Sequence, residues 1–504
     1  MTIALMAVPE QGINNMGSVD RIDITDGLNI SRALTGLWQV ADMERGGNTL
    51  DPDIAAAALA DYVRDGFTTF DMADHYGSAE IIAGRLIAAH APEGVRPQAI
   101  TKWCPPPGPI TADVVRAGVQ ERLDRLEVDC IDLLQFHWWS FEHPAWLDAL
   151  HEMNRLRDEG LIGELGVTNF DAAHLHLALA DGIPLRTNQV SFSLIDRRGS
   201  GPLAQVCIDH GVKLLAYGTI CGGFLSDKWV GVPEPDEIPD WSKMKYHRFI
   251  QAAGGWDAYQ RILQAADQIA KKHQVSVTNV ATRWVLQQNH VAGVIIGARP
   301  GENQHRANNL ALFRFALDDE DQALLQAAFD TTSMIPGDCG EEYRKPPFLT
   351  ASGDLSDHLD SIPTAYSVDT HPWRPQVTRA HTGSIWEDLA GYCRAQRIGD
   401  RILVSGTTAT AGADRVVAKG DAAAQATFVI DKIIGAIKAL GGDVNDIVRT
   451  RIYLTNIADT AAVSRVHGRV FGDIKPANTL LAIDRLAGDY LLEIEAEAIV
   501  TSDA

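Results

Sequence analysis

Four side chains in the first third of the chain, Asp71, Tyr76, Lys102 and His137, have the makings of a supported acid. A free tyrosine has a pKa of about 10, too high for an efficient acid at neutral pH. A nearby ammonium favours the phenolate and lowers that value. Lys102 would supply the ammonium, and Asp71 would hold it charged and in place. His137 would hydrogen-bond a substrate oxygen and orient it. Together they suit protonation of the alkoxide that forms when a carbonyl takes up hydride. Hydride comes from a nicotinamide, which needs an aromatic to stack on and amide partners for its carboxamide. Tyr217 fits the first task, and Asn169 with Gln189 the second. Arg299, beside the first turn of a helix, suits the 2′-phosphate of NADPH.

These residues need elements that bring them together. Each falls at or just beyond the end of a short apolar stretch: 33–37, 68–73, 98–103, 130–138, 163–169, 185–190, 212–218 and 291–299. Amphipathic helical segments such as 53–66 and 111–126 lie between them. Eight β-then-α units predict an α/β fold, a closed parallel (β/α)8 TIM barrel rather than an open sheet. In such a barrel the chemistry sits at the C-terminal strand ends, which here also carry Thr168, Asn188 and Gly297. Residues 21–32 read as a hairpin around Asp26-Gly27 that could plug the bottom. The longest interruption, 219–255, should lie at the functional face, ahead of helices over 256–273 and 277–289. GxGxxG is absent, consistent with a barrel that binds NADPH without a Rossmann fold. HLH at 174–176 reads as helix surface, because positions i and i+2 do not share a face.

Residues 331–375 lack periodicity and read as a linker partly packed on the barrel. A smaller α+β pattern follows: a hairpin over 394–406, a long helix over 421–440, a strand over 446–456, a helix over 460–472 and two more strands. The expected domains are a barrel over 1–345, a linker over 346–375 and a second domain over 376–504.

The chain has 504 residues and a formal charge of −22, which argues against nucleic acid or an anionic membrane as partner. Six scattered cysteines without CxxC spacing suit free thiols in a reducing cytoplasm. No HExxH or CxxC marks a metal site. Residues 1–15 have no basic region and no long apolar run, so no signal peptide is expected, nor any membrane span.

The motifs FDMADHY, ITKW, LLQFHW, GVTNF, NQVSFS, LLAYG and IIGAR, in this order, resemble the aldo-keto reductase superfamily over about residues 30–330. The resemblance implies a catalytic tetrad of Asp71, Tyr76, Lys102 and His137. It implies nicotinamide contacts from Trp38, Thr168, Asn169, Gln189 and Tyr217. Phosphate contacts would come from Gly297, Arg299, Gln304 and Asn308 or Asn309, with NADPH, or NADH, as cofactor. Residues 378–504 are similar to the Rid (YjgF/UK114) family in GYCRAQRIGDRILVSGT, DIVRTRIYLTN, KPANTLLAIDRL and LLEIEAEAI. That family implies a homotrimer with pockets between subunits, here lined by Tyr392, Asn478 and Glu493. Asn478 stands where deaminating members carry a carboxylate-gripping arginine, and an amide cannot replace a charged bidentate grip. Arg449 or Arg451 could substitute. Two alternatives to carbonyl reduction follow: a redox-inactive NADPH-binding sensor or subunit, and imine hydrolysis coupled to reduction of the carbonyl it yields.

Overall fold

Each short apolar stretch becomes a strand because the helix after it lays an apolar stripe across it. A computed structural model of the chain describes residues 18–40, 49–106, 108–138, 140–238, 241–301, 305–344 and 362–501. Residues 1–15 and Gln304 lie outside them. A hairpin comes first, β1 (Arg21–Thr25) and β2 (Leu28–Ser31). The barrel strands are β3 (Ala33–Gly36), β4 (Thr69–Asp71), β5 (Gln98–Trp103), β6 (Ile131–His137), β7 (Ile162–Thr168), β8 (Leu185–Ser191), β9 (Lys213–Tyr217) and β10 (Val291–Gly297). They pair in chain order, and β10 closes on β3 in parallel. The outer helices are α1 (Pro52–Arg64), α2 (Ala79–Arg85), α3 (Ala112–Leu126), α4 (Ala145–Asp158), α5 (Ala172–Ala180), α6 (Pro202–His210), α7 (Trp241–Ala252), α8 (Gly255–His273), α9 (Val277–Leu286), α10 (Arg306–Ala311) and α11 (Asp319–Phe329).

The hairpin plugs the barrel floor. Leu28 and Ile30 join Leu34, Ile100, Leu133, Leu215 and Ala292 in a separate apolar cluster. The interruption after β9 holds α7, whose Phe249 and Ile250 are buried. Asp51, Thr111, Asp171, Ser276 and Asp318 cap their helices with side-chain oxygens, as these residue types should.

The second domain has one seven-stranded sheet: β11 (Ser367–Thr370), β12 (Val377–His381), β13 (Ala395–Ile398), β14 (Arg401–Thr407), β17 (Ile447–Leu454), β18 (Ala477–Ala482) and β19 (Leu492–Ile499). The strands β15 (Thr410–Ala411) and β16 (Arg415–Val416) form a small ribbon beside it. The helices are α12 (Ile385–Ala390), α13 (Ala422–Ala439) and α14 (Thr460–Phe471). The edge strand β11 falls within the stretch read as linker, of which 362–375 is described. On β19, Leu492, Ile494, Ala496 and Ala498 turn inward while Glu493, Glu495 and Glu497 turn outward.

α13 is buried along nearly its whole length because it has three partners, its own sheet, α14 beside it and α5 of the barrel. A Cβ at Gly435 would lie 2.6 Å from the Glu142 carbonyl of the barrel, which explains a glycine inside a helix that it weakens by about 1 kcal/mol. The HLH segment therefore departs from the surface reading. His174 is buried, its Nδ1 2.6 Å from Asp171 and its Nε2 2.9 Å from Asp431 on α13. His176 lies 2.7 Å from Asp421. Residues i and i+2 both reach the second domain because it covers more than one stripe of α5. Arg415 pairs with Asp181 and Asp148 at 2.7 and 3.0 Å, and Lys438 with Glu142 at 2.9 Å.

Candidate active site

The parallel register brings the predicted residues to one end of the barrel. Asp71 closes β4, Lys102 lies on β5 beside Gln135 of β6, and His137 pairs with Thr168, which in turn pairs with Gln189. Lys102 Nζ lies 3.0 Å from both Asp71 carboxylate oxygens, donates to the Met72 carbonyl at 2.7 Å, and sits 5.0 Å from the centre of the Tyr76 ring. Gln189 Nε2 donates to Asp71 at 2.7 Å, so an uncharged neighbour holds the carboxylate without competing for its charge. Trp38 and His75 each meet Tyr76 edge-on at 4.8 Å between ring centres. His75 in turn is held by Asp74 at 2.8 Å.

His137 is 4 % exposed, and its pKa is pushed well below the ordinary 6.5 by burial and then by the charges of Arg344, His75, Lys102 and Lys245. The imidazole is therefore neutral. The Cys104 thiol lies 3.6 Å from Nδ1. A neutral ring that accepts there carries its proton on Nε2.

Asn169, the first residue after β7, adopts left-handed backbone geometry with φ of 58°. Its Oδ1 accepts from the Tyr217 hydroxyl at 2.9 Å. Asn188 fixes the same loop from behind, accepting from Phe170 N and donating to Phe170 O. The Thr168 hydroxyl is buried with no hydrogen-bond partner among the described residues. Such an orphan costs about 1–3 kcal/mol unless something fills the site. At the far rim Arg299 is exposed, with Nε donating to Gln39 at 2.6 Å, next to Gly297. Asn308 meets the start of α9 through Ser276 and Asn279, and Asn309 follows it on α10.

Four neighbours of the site carry no signal in the sequence: Cys104, Lys245, Tyr343 and Arg344. Lys245 comes from α7, inside the interruption. Tyr343 and Arg344 come from 338–344, a segment that carries no period and crosses the barrel mouth. Arg198 anchors the segment, pairing with Asp196 at 2.7 Å and Glu342 at 2.9 Å. Arg344 donates to the carbonyls of Asn169 and Trp138 at 2.6 and 2.8 Å. Gly340 has φ of +85°, and a Cβ there would fall 2.1 Å from the Asn169 carbonyl.

The second-domain candidates separate. Arg394, 3 % exposed, donates to Tyr392 and to the Gly406 carbonyl, and Gly406 backs onto Glu493. Asn478 lies elsewhere, donating to Thr450, which stands opposite Ala496 rather than Glu493. Arg451 pairs with Glu495 and Glu497, and Arg449 lies 3.8 Å from Glu497. His273, Asp318 and Asp321 also cluster, but Lys272 already neutralises both carboxylates at 2.8 and 2.9 Å.

A closed parallel barrel with a buried Asp–Lys pair against a tyrosine at the strand ends defines an oxidoreductase of the nicotinamide-dependent, carbonyl-reducing class. The chain belongs to the aldo/keto reductase family, whose model matches residues 34–330. Residues 384–500 match the model described as Endoribonuclease L-PSP, so the second domain is of the Rid type. The chain is 28 % identical over 345 residues to the aldo-keto reductase YhdN of Bacillus subtilis (strain 168), covering 64 % of this chain and 96 % of that one. It is 24 % identical over 330 residues to the NADH-specific methylglyoxal reductase of Escherichia coli (strain K12), covering 60 % and 95 %. Among solved structures, the glycerol dehydrogenase of Gluconobacter oxydans superposes with a TM-score of 0.51 at 23 % identity, over 64 % of this chain and 98 % of that one. The second domain is 35 % identical over 123 residues to an uncharacterized protein of Streptomyces coelicolor, covering 24 % of this chain and 91 % of that protein.

Proposed function

We propose that the chain is an NADPH-dependent reductase of aldehydes or ketones in which Tyr76 donates the proton, on an assembly built by the Rid-type domain. The carrying observation is the Lys102 ammonium, clamped by both oxygens of Asp71 and facing the Tyr76 ring. The residues fit a nicotinamide. Thr168 offers a buried, unpaired hydroxyl, Asn169 and Gln189 offer amides beside it, and Tyr217 offers a ring. Gly297, Arg299, Gln304 and Asn308 or Asn309 would take the phosphates. NADPH, when bound, supplies the hydride.

The chain's own groups do the rest. His137, neutral and protonated on Nε2, hydrogen-bonds the carbonyl oxygen and orients it. As that oxygen gains charge, the Tyr76 hydroxyl gives it a proton. The phenolate left behind is stabilised by Lys102, whose own charge Asp71 holds in place. Burial of Asp71, Lys102 and His137 excludes water and strengthens each of these interactions. NADH is the alternative cofactor, as one relative is named NADH-specific.

The Rid-type domain is assigned assembly as a homotrimer or larger. Its sheet packs α13 on one face and turns Glu493, Glu495 and Glu497 outward on the other, a face that three-fold closure would cover. With Asn478 in place of an arginine, its subunit pockets are not expected to deaminate imine acids. No helix among the described residues is long and apolar enough to cross a membrane. Cysteines that form no disulfide among the described residues suit a reducing cytoplasm.

The test is a panel of aldehydes and ketones followed by NADPH absorbance, with Tyr76→Phe alongside. Removing the acid should lower kcat by about 10²–10⁴-fold while NADPH still binds. Retention of most of kcat by the variant would refute the assignment of the acid. Absence of turnover with every carbonyl, NADPH still binding, would favour the sensor reading instead.

A further inference from the structure

Beyond the predicted cofactor contacts, the barrel mouth holds a chain of hydrogen bonds that ends on one of them. Lys245 Nζ lies 2.5 Å from the Tyr343 hydroxyl. The Tyr343 and Tyr217 hydroxyls are 2.9 Å apart, and Tyr217 reaches Asn169 Oδ1 at 2.9 Å. Lys245, Tyr343 and Asn169 are all less than a tenth exposed. The lysine sits over both phenol rings, 4.5 Å from the centre of Tyr343 and 5.0 Å from that of Tyr217.

The chain has a direction. An ammonium can only donate, so the Tyr343 oxygen accepts from Lys245; Tyr217 has a single proton and donates it to Asn169 Oδ1, so at the bond between the two phenols Tyr343 donates and Tyr217 accepts. An asparagine amide accepts only through Oδ1, so the oxygen of Asn169 faces Tyr217 and Nδ2 faces the other way. The Tyr217 phenol keeps its proton for this. Burial, and then Tyr343 itself, push the Tyr217 pKa well above the ordinary range.

We propose that Lys245 and Tyr343 are positioning residues for the nicotinamide: acting through Tyr217, they orient the Asn169 amide so that it presents Nδ2 as a donor to the carboxamide oxygen. The inference rests on the cofactor reading above and names two residues that reading does not use. It explains why a lysine is buried against aromatic faces in an otherwise irregular insertion. It explains as well why 338–344 lies across the mouth rather than leaving the barrel directly. Arg344 holds the backbone carbonyl of Asn169 while Tyr343 sets its side chain, so one short segment fixes both ends of the residue. The barrel's cofactor site is completed by the tail that leads to the second domain.

The test compares binding of NADPH with binding of adenosine 2′,5′-bisphosphate, a fragment without the nicotinamide, in full-length protein. Tyr343→Phe removes one oxygen and keeps the ring. It should weaken NADPH about five- to tenfold, the worth of one hydrogen bond, and leave the fragment within about twofold. Lys245→Met should do the same, and the double variant should be no worse than either single one, because both break one chain. Equal weakening of NADPH and fragment, no weakening of either, or additive losses would each overturn the inference. Should Lys245→Met not fold, Tyr343→Phe decides alone. Wild-type protein that binds neither ligand would overturn the cofactor reading itself, and this inference with it.

Discussion

Replacing His174 with phenylalanine isolates the charge at the domain interface. Both ring nitrogens of His174 face carboxylates, Asp171 at 2.6 Å and Asp431 at 2.9 Å. Carboxylates only accept, so both nitrogens carry protons and the ring is a cation. The opposing effects are large. Burial lowers the His174 pKa, but Asp171 and Asp431 together raise it above the ordinary 6.5. Phenylalanine keeps the ring stacked 3.6 Å from Phe141 and removes only charge and N–H groups. Asp171 still caps α5 through the backbone amides of residues 173 and 174, and keeps Arg469 at 3.9 Å. Asp431 loses its partner inside the interface. Breaking a buried pair in this way costs about 3–5 kcal/mol, or a hundredfold to several thousandfold in the docking equilibrium.

Amide hydrogen exchange reads this directly. At neutral pH, amides of α5 and α13 should exchange faster by about that factor in His174→Phe, while those of α8 and α9 should not change. The pH dependence supplies a second readout. A histidine whose folded pKa is raised stabilises docking fully below the unfolded value near 6.5, and the benefit is lost as pH rises through the folded value. Asp171 is depressed, so its contribution is lost only in strong acid. Wild-type docking should therefore loosen on the alkaline side, and His174→Phe should keep only the part contributed by His176, whose pKa is likewise raised by its bond to Asp421. Exchange rates equal to wild type, or an unchanged alkaline response in the variant, would refute the bridge.

Arg299→Ala should weaken NADPH about tenfold to a hundredfold and NADH little, since a charged contact to phosphate is worth about 1.5–3 kcal/mol. Equal loss in a fluorescence titration would remove Arg299 from the 2′-phosphate. Because the His137 pKa lies well below 6.5, the ring stays neutral as pH falls, and kcat/KM should show no descending acid limb near that value. A limb there that disappears in His137→Gln would contradict it. By light scattering the full-length chain should be at least a trimer, and a chain ending near residue 345 a monomer with faster exchange in α5. A monomeric full-length chain would refute the assembly.

The barrel was legible in the sequence because its forces are local and periodic. Eight apolar stretches each had to be covered, and the following helices carried the stripes to do so. Asp71, Lys102 and His137 could be named in advance because strand ends of a closed parallel barrel converge wherever they lie in sequence. The hairpin was legible too, since Asp26-Gly27 marks its turn. What the sequence could not show lay where no period operates. Tyr343 and Arg344 belong to an irregular segment, and nothing in DCGEEYR says which surface its side chains enter. Lys245 lies on a helix inside an insertion, and its neighbours Tyr217 and Tyr343 are 28 and 98 positions away. HLH was misread because surface and interface stripes look alike until the covering domain is in place. Gly435 makes the same point: α13 would be the stronger helix with alanine there, and the approach of the Glu142 carbonyl from the barrel, with the Tyr366 ring close by, forbids it. Periodicity and turn chemistry are properties of neighbours in sequence. Burial, charge pairing and close approach between distant segments are properties of the folded chain, and only the tertiary structure decided them.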